Sequence, residues 1–218
     1  MSNSTQFENE NMLYPVYIEE LFWLSTSIKE KCEELWNIEK LPDKGYTIKV
    51  DLKTMSIVKS IVDDTFQLKN ILWPRGAIKT EKQQTKEFRN KRGSTIRKIF
   101  DDLDLSEIKN ENIRNSLEHF DERLDKYNLE LKQKLNKKGL NIIFNMILSE
   151  REAINPFPIP FRVLIIKEKS LYNFNFKLDL DKVYSECSQI VERLINMPER
   201  KNIKEPGGLF LPLIKFTK

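Results

Sequence analysis

Residues 113–135 read IRNSLEHFDERLDKYNLELKQKL. At about 100° per residue, Ile113, Leu117, Phe120, Leu124, Tyr127, Leu131 and Leu135 fall within a stripe roughly 80° wide, the pattern of a helix that buries one face. Gly139 supplies its stop. This spacing predicts one long amphipathic helix and sets the expectation of a mainly α chain.

Upstream, the same period recurs. Leu21, Leu24, Ile28, Cys32 and Leu35 follow one another at three- and four-residue steps, with Phe22, Trp23 and Trp36 widening the stripe, and Pro42 and Gly45 end this first helix. A second helix is expected from about Leu52 to Trp73 through Met55, Val58, Ile61, Val62, Leu68 and Leu72, stopped by Pro74 and Gly76. A third, from Lys79 to Leu103, carries Gly93 as an interruption before Ile96, Ile99 and Phe100. Residues 1–11 are rich in Asn, Ser and Glu and are expected to be a frayed tail.

Downstream of Gly139 the pattern changes. Residues 140–148 are apolar and β-branched, and residues 161–167 and 171–180 read as strands of a β-hairpin with its turn at Lys167 to Ser170. Alternation is cleanest from Tyr172 to Leu178. The prolines at 156, 158 and 160 exclude a helix before the hairpin. Val183, Cys187, Ile190, Val191 and Leu194 mark a last helix, closed by Pro198, and residues 209–214 form an apolar tail. The expected architecture is a single domain of about five helices, with a β-containing insertion at 140–180 before the last.

Composition narrows the function. The chain has 218 residues with one His and two Cys, too few for a Cys/His zinc site and too far apart for a disulfide framework. The cysteine usage fits a reducing cytoplasm, and no apolar run approaches the roughly 20 residues that span a bilayer. Six glycines offer no phosphate loop, because Gly207-Gly208 lacks a following Lys-Ser/Thr. No cofactor is expected, and no Cys/His metal set. Pro42-Asp43 with Asp51-Leu52-Lys53 mimics a metal-dependent nuclease signature, in which paired carboxylates hold a divalent ion and the Lys meets the attacked phosphate.

Charge is unevenly placed. The net charge is +4, but between Arg75 and Lys98 nine Lys and Arg stand against Glu81 and Glu87. Such a block is either a solvated helix face or a phosphate-binding surface, with Lys82, Lys86, Arg89 and Arg92 as the RNA-binding candidates.

The one histidine, His119, lies about 120° from the apolar stripe, and Arg114 and Asn115 also lie off it. A polar face with an Arg114 to Glu118 pair at i, i+4 is one reading. The other is a groove or interface where imidazole, which exchanges protons near neutral pH, and a fixed guanidinium meet a phosphate.

Arg114-Asn115-Ser116-Leu117-Glu118-His119 resembles the mark of the HEPN superfamily, an Arg, a polar residue, a short run and a His in a late helix of a helical bundle. The resemblance spans about Met12 to Lys138 and the closing helix. It implies a HEPN-like bundle and a metal-independent endoribonuclease, commonly a toxin or antiviral effector, that works as a homodimer on RNA and is held in check by an antitoxin or other inhibitory partner. On this resemblance His119 would be the general acid or base, Arg114 would stabilise the phosphate, and Asn115 would orient one of them. Some members carry Tyr two residues after the His; here Asp121 stands there, so control through that Tyr is not implied. Other members are non-catalytic binding modules, which keeps a helical RNA- or protein-binding function open beside the enzyme.

Overall fold

The first helix, α1 (Tyr14–Ile38), forms because its apolar residues share one face, and Leu21, Ile28, Cys32 and Leu35 on it are almost fully buried. In the computed structural model, residues 13–76, 80–134, 141–198 and 206–207 are described. The tail at 1–11, Lys79, Leu135 and the apolar segment at 209–214 lie outside them.

α1 packs against α2 (Leu52–Leu72) and against the last helix, α7 (Leu180–Ile195). α2 is started by Asp51, whose carboxylate accepts from the backbone N–H groups of Lys53 and Thr54 at 2.9 and 3.1 Å. α7 is started likewise by Asp179, which accepts from Lys182 N–H at 3.0 Å. The buried faces of these three helices meet in one core, to which each fully buried Leu or Ile contributes about 1.5–3 kcal/mol. Both cysteines are inside it and unpaired. Burial pushes the Cys32 thiol up to about 12 and the Cys187 thiol well above its ordinary value. Native protein at pH 8 is therefore expected to resist thiol-directed reagents, the thiolate of Cys32 being about a thousandfold scarcer than that of an ordinary cysteine. Labelling should appear only with unfolding, and rapid modification of folded protein would contradict this burial.

α3 (Gln83–Arg97) runs without a break through Gly93. The glycine does not interrupt the helix; it lets the helix approach the preceding turn. A Cβ at this position would lie 2.5 Å from Cδ of Pro74 and 3.0 Å from the Leu72 carbonyl oxygen. A 3₁₀ turn at Lys98–Phe100 and a one-turn helix, α4 (Ser106–Lys109), follow.

The long helix expected over 113–135 is two helices, α5 (Asn112–Glu118) and α6 (Phe120–Lys134), with His119 between them at φ −101°, ψ 38°. The bend carries Phe120 against Phe144, Phe161 and Phe174, at ring-centroid distances of 6.4, 6.1 and 5.6 Å. Aromatic packing redirects the chain, and the expected stripe does not stay buried: Ile113 is inside, while Leu124 is exposed.

The β region is larger than a hairpin. Strands β1 (Ile48–Lys49), β2 (Ile142–Leu148), β3 (Ile159–Ile165), β4 (Ser170–Asn173) and β5 (Phe176–Asp179) form one mixed sheet in the order β1-β2-β3-β4-β5. β2 and β3 are parallel and the other pairs antiparallel. The expected hairpin between β3 and β4 is present, but the alternating run Tyr172 to Leu178 turns back on itself at Phe174, whose φ is 54°. Its period-two pattern belongs to two strands and the bend joining them. The chain is mainly helical with this sheet, and one face of the sheet packs Ile147, Leu164, Leu171 and Leu178 into the helical core. The other face buries Ile143, Val163 and Ile165 under Ile154 and Phe157.

Candidate functional site

Arg114 sits on α5 with its side chain only 15% exposed. Its guanidinium lies 3.6 Å from the centroid of the Phe66 ring on α2, pairs with Glu118 one turn on, and shares Phe66 with Arg75, which lies 4.5 Å from the same centroid. Burial, then the like charge of Arg75, lowers its pKa from the ordinary arginine value. The wheel placed Arg114 on the outward side of its helix. Packing against α2 turns it inward because α5 is short and docks by Ile113 and Ser116.

His119, the C-cap of α5, is 55% exposed, with Nδ1 3.3 Å from a carboxylate oxygen of Glu122. Asn115 is half-buried, and its carbonyl accepts the His119 backbone N–H at 3.2 Å. The three motif residues are thus adjacent in the chain but differently engaged. Arg114 contacts α2 and Glu118, whereas His119 contacts Glu122 at the start of α6.

Beside Arg114 opens a cleft of about 580 Å³ between helices and sheet. α2 contributes Met55, Ser56, Val58, Lys59 and Asp63, and α5 contributes Arg114, Leu117 and Glu118. Asn145 of β2, Arg162 of β3 and Leu171 of β4 complete it. Asn145 and Arg162 fall where the parallel register skips from Phe144–Phe161 to Met146–Val163, and both have left-handed backbones, at φ 52° and 57°. Each such residue costs on the order of 1–3 kcal/mol and persists only where its surroundings over-determine it. The support is visible: Arg162 N–H donates to Oδ1 of fully buried Asn173 at 3.1 Å, Asn173 Nδ2 donates to Ser116 Oγ at 2.9 Å, and Ser116 donates to the Ile113 carbonyl at 2.6 Å. Sequence reasoning did not find Asn145, Arg162 or Asn173. Their only signal was an Asn and an Arg set in apolar strands, which reads equally well as ordinary solvent-facing alternation.

The cationic candidates divide. Arg89 pairs with Glu81 at 2.8 Å and donates to the Gly76 carbonyl, and Arg92 donates to the Asn70 carbonyl at 3.1 Å while stacking over Tyr17 at 4.8 Å. These guanidiniums anchor α3 to the rest of the fold. Lys82 is exposed at the helix start and Lys86 half-exposed one turn on. Accordingly, replacing Lys82 and Lys86 with Gln is expected to lower RNA affinity and reduce its log–log salt slope by about one to two without moving the thermal midpoint. Filter binding at several salt concentrations measures both quantities, and an unchanged slope would leave this face as solvated surface.

Among the Asp43, Asp51 and Lys53 set, Asp51 is the cap of α2, which holds its carboxyl below the ordinary aspartate value, and Lys53 lies 3.5 Å from Glu34. Among the described residues no three His, Cys, Asp or Glu side chains gather as a metal site, and no helix is long and apolar enough to cross a membrane. The chain matches no family model, no curated protein and no solved structure.

Proposed function

We propose that the chain is a metal-independent endoribonuclease of the HEPN type. The observation that carries this reading is His119: a half-exposed imidazole at a helix break, its Nδ1 3.3 Å from a Glu122 carboxylate oxygen, its other nitrogen turned to no protein partner among the described residues, five residues after Arg114. An accessible imidazole is free to meet a bound substrate, as general acid–base catalysis needs. The ribose 2′-OH gives its proton to an imidazole and attacks phosphorus. The P–O5′ bond breaks, the 5′-oxygen takes up a proton, and a 2′,3′-cyclic phosphate remains. Charge on the non-bridging oxygens is met by the Arg114 guanidinium. One chain holds one histidine, and its Arg114 and His119 make no mutual contact, so a second copy related by a two-fold axis supplies the complementary acid or base.

The test is incubation of purified protein with mixed RNA in excess EDTA, followed by analysis of the ends. Cyclic phosphate and 5′-hydroxyl ends are expected. Cleavage lost to EDTA and restored by Mg²⁺ would move the chemistry to Asp43, Asp51 and Lys53. The second reading, a non-catalytic RNA- or protein-binding module, is favoured by the engagement of Arg114 with Glu118 and Phe66, and RNA binding without cleavage would establish it.

A further inference from the structure

The cleft beside Arg114 has an apolar floor and an unbalanced charge. Leu52, Met55 and Leu117 line it with apolar surface, over the buried side chains of Val58 and Leu171. Of its five charged side chains, Lys59 is neutralised by Asp63 at 2.6 Å and Arg114 by Glu118. Arg162 is left. Its guanidinium lies 4.1 Å from the Phe120 ring centroid and 5.8 Å from that of Phe144, and among the described residues no carboxylate pairs with it. The backbone under it is held left-handed by a buried hydrogen-bonded chain through Asn173 and Ser116, and the Asn145 carboxamide stands on the neighbouring strand in the same cleft. A left-handed Arg162 backbone fixed by buried polar groups, with a cation and an amide brought to an apolar cavity, is a device for placing ligand-binding groups.

We propose that this cleft binds a small organic anion, a carboxylate or phosphate head on a short aliphatic body. The head takes the Arg162 guanidinium and the Asn145 carboxamide, and the body lies along Leu52, Met55 and Leu117. The volume of about 580 Å³ admits such a ligand with room to spare. The aliphatic lining selects such a body over a nucleobase, which asks for aromatic stacking and edge hydrogen bonds. This site goes beyond the ribonuclease reading; it shares a cleft wall with Arg114, but its decisive residues, Arg162 and Ser56, have no part in that chemistry, so the two readings are tested separately.

The full chain is titrated by calorimetry and ligand-observed NMR with hexanoate, hexyl phosphate and, as the neutral counterpart, 1-hexanol. Saturable one-to-one binding of at least one anion is expected, with hexanol weaker by about tenfold or more. Comparing the two anions identifies the head group. Arg162→Gln should weaken the anion by about tenfold and leave hexanol unchanged. Ser56→Trp, at an exposed position on the cleft wall, should abolish binding of all three and remains informative if the strand variant folds poorly. Absence of saturable binding, equal affinity for hexanol and the anions, anion binding that survives Ser56→Trp, or displacement of hexyl phosphate by a single-stranded RNA 10-mer with no detectable binding of hexanoate would each overturn the proposal.

Discussion

His119→Ala is expected to reduce RNA cleavage by about 10²- to 10⁴-fold, the usual contribution of a positioned general acid or base, while leaving the fold intact. The imidazole is more than half exposed and fills no core space, so its loss opens no cavity. Arg114→Ala should cost comparable activity. Because that guanidinium stacks on Phe66, the same variant should also lower the thermal midpoint, which separates the two residues experimentally. Arg114→Lys should not restore the rate, since an ammonium offers neither the planar stack nor the two-pronged phosphate contact. Turnover of a fluorogenic RNA in EDTA, measured beside thermal unfolding, distinguishes these effects. A His119→Ala protein with undiminished cleavage would remove this histidine from the mechanism.

Asn173→Ala is expected to cost substantial stability although it removes no apolar core residue. Its carboxamide is fully buried and bridges the sheet to α5, accepting from the Arg162 backbone and donating to Ser116. Truncation leaves the Arg162 N–H without a partner inside the protein and opens a small void, a combined loss of about 3 kcal/mol. For a chain of this length that corresponds to a drop of roughly 6–12 °C in the thermal midpoint. Ser116→Ala should cost less, since it removes one acceptor and leaves the strand contact in place. Equal midpoints for wild type and Asn173→Ala would mean that the left-handed Arg162 backbone is not held by this bridge.

Helix α1, helix α2 and helix α7 were legible because their stripes are continuous and each face buries where its period says, from Leu21 to Leu35, Val58 to Leu72 and Val183 to Leu194. The RNxxxH spacing was equally legible, being local in the chain. The orientation of its members was not. Arg114 turned inward because Phe66, 48 positions earlier in the chain, offered an aromatic face, and helix geometry alone holds no record of that neighbour.

By itself the sequence determined the helical periods, the two cysteines on apolar helix faces and the presence of a single imidazole close to an arginine, since each depends on residues within a few positions of one another. Tertiary structure alone decided the rest. Gly93 became a contact point because Pro74 crosses it, His119 became a break because Phe120 was drawn to three aromatic rings of the sheet, and β1 became a strand because Leu148 and Ile147 lie beside it. The left-handed Arg162 backbone has the same origin. It is held by a carboxamide and a hydroxyl from two other elements, and no local pattern encodes a conformation whose support comes from so far along the chain.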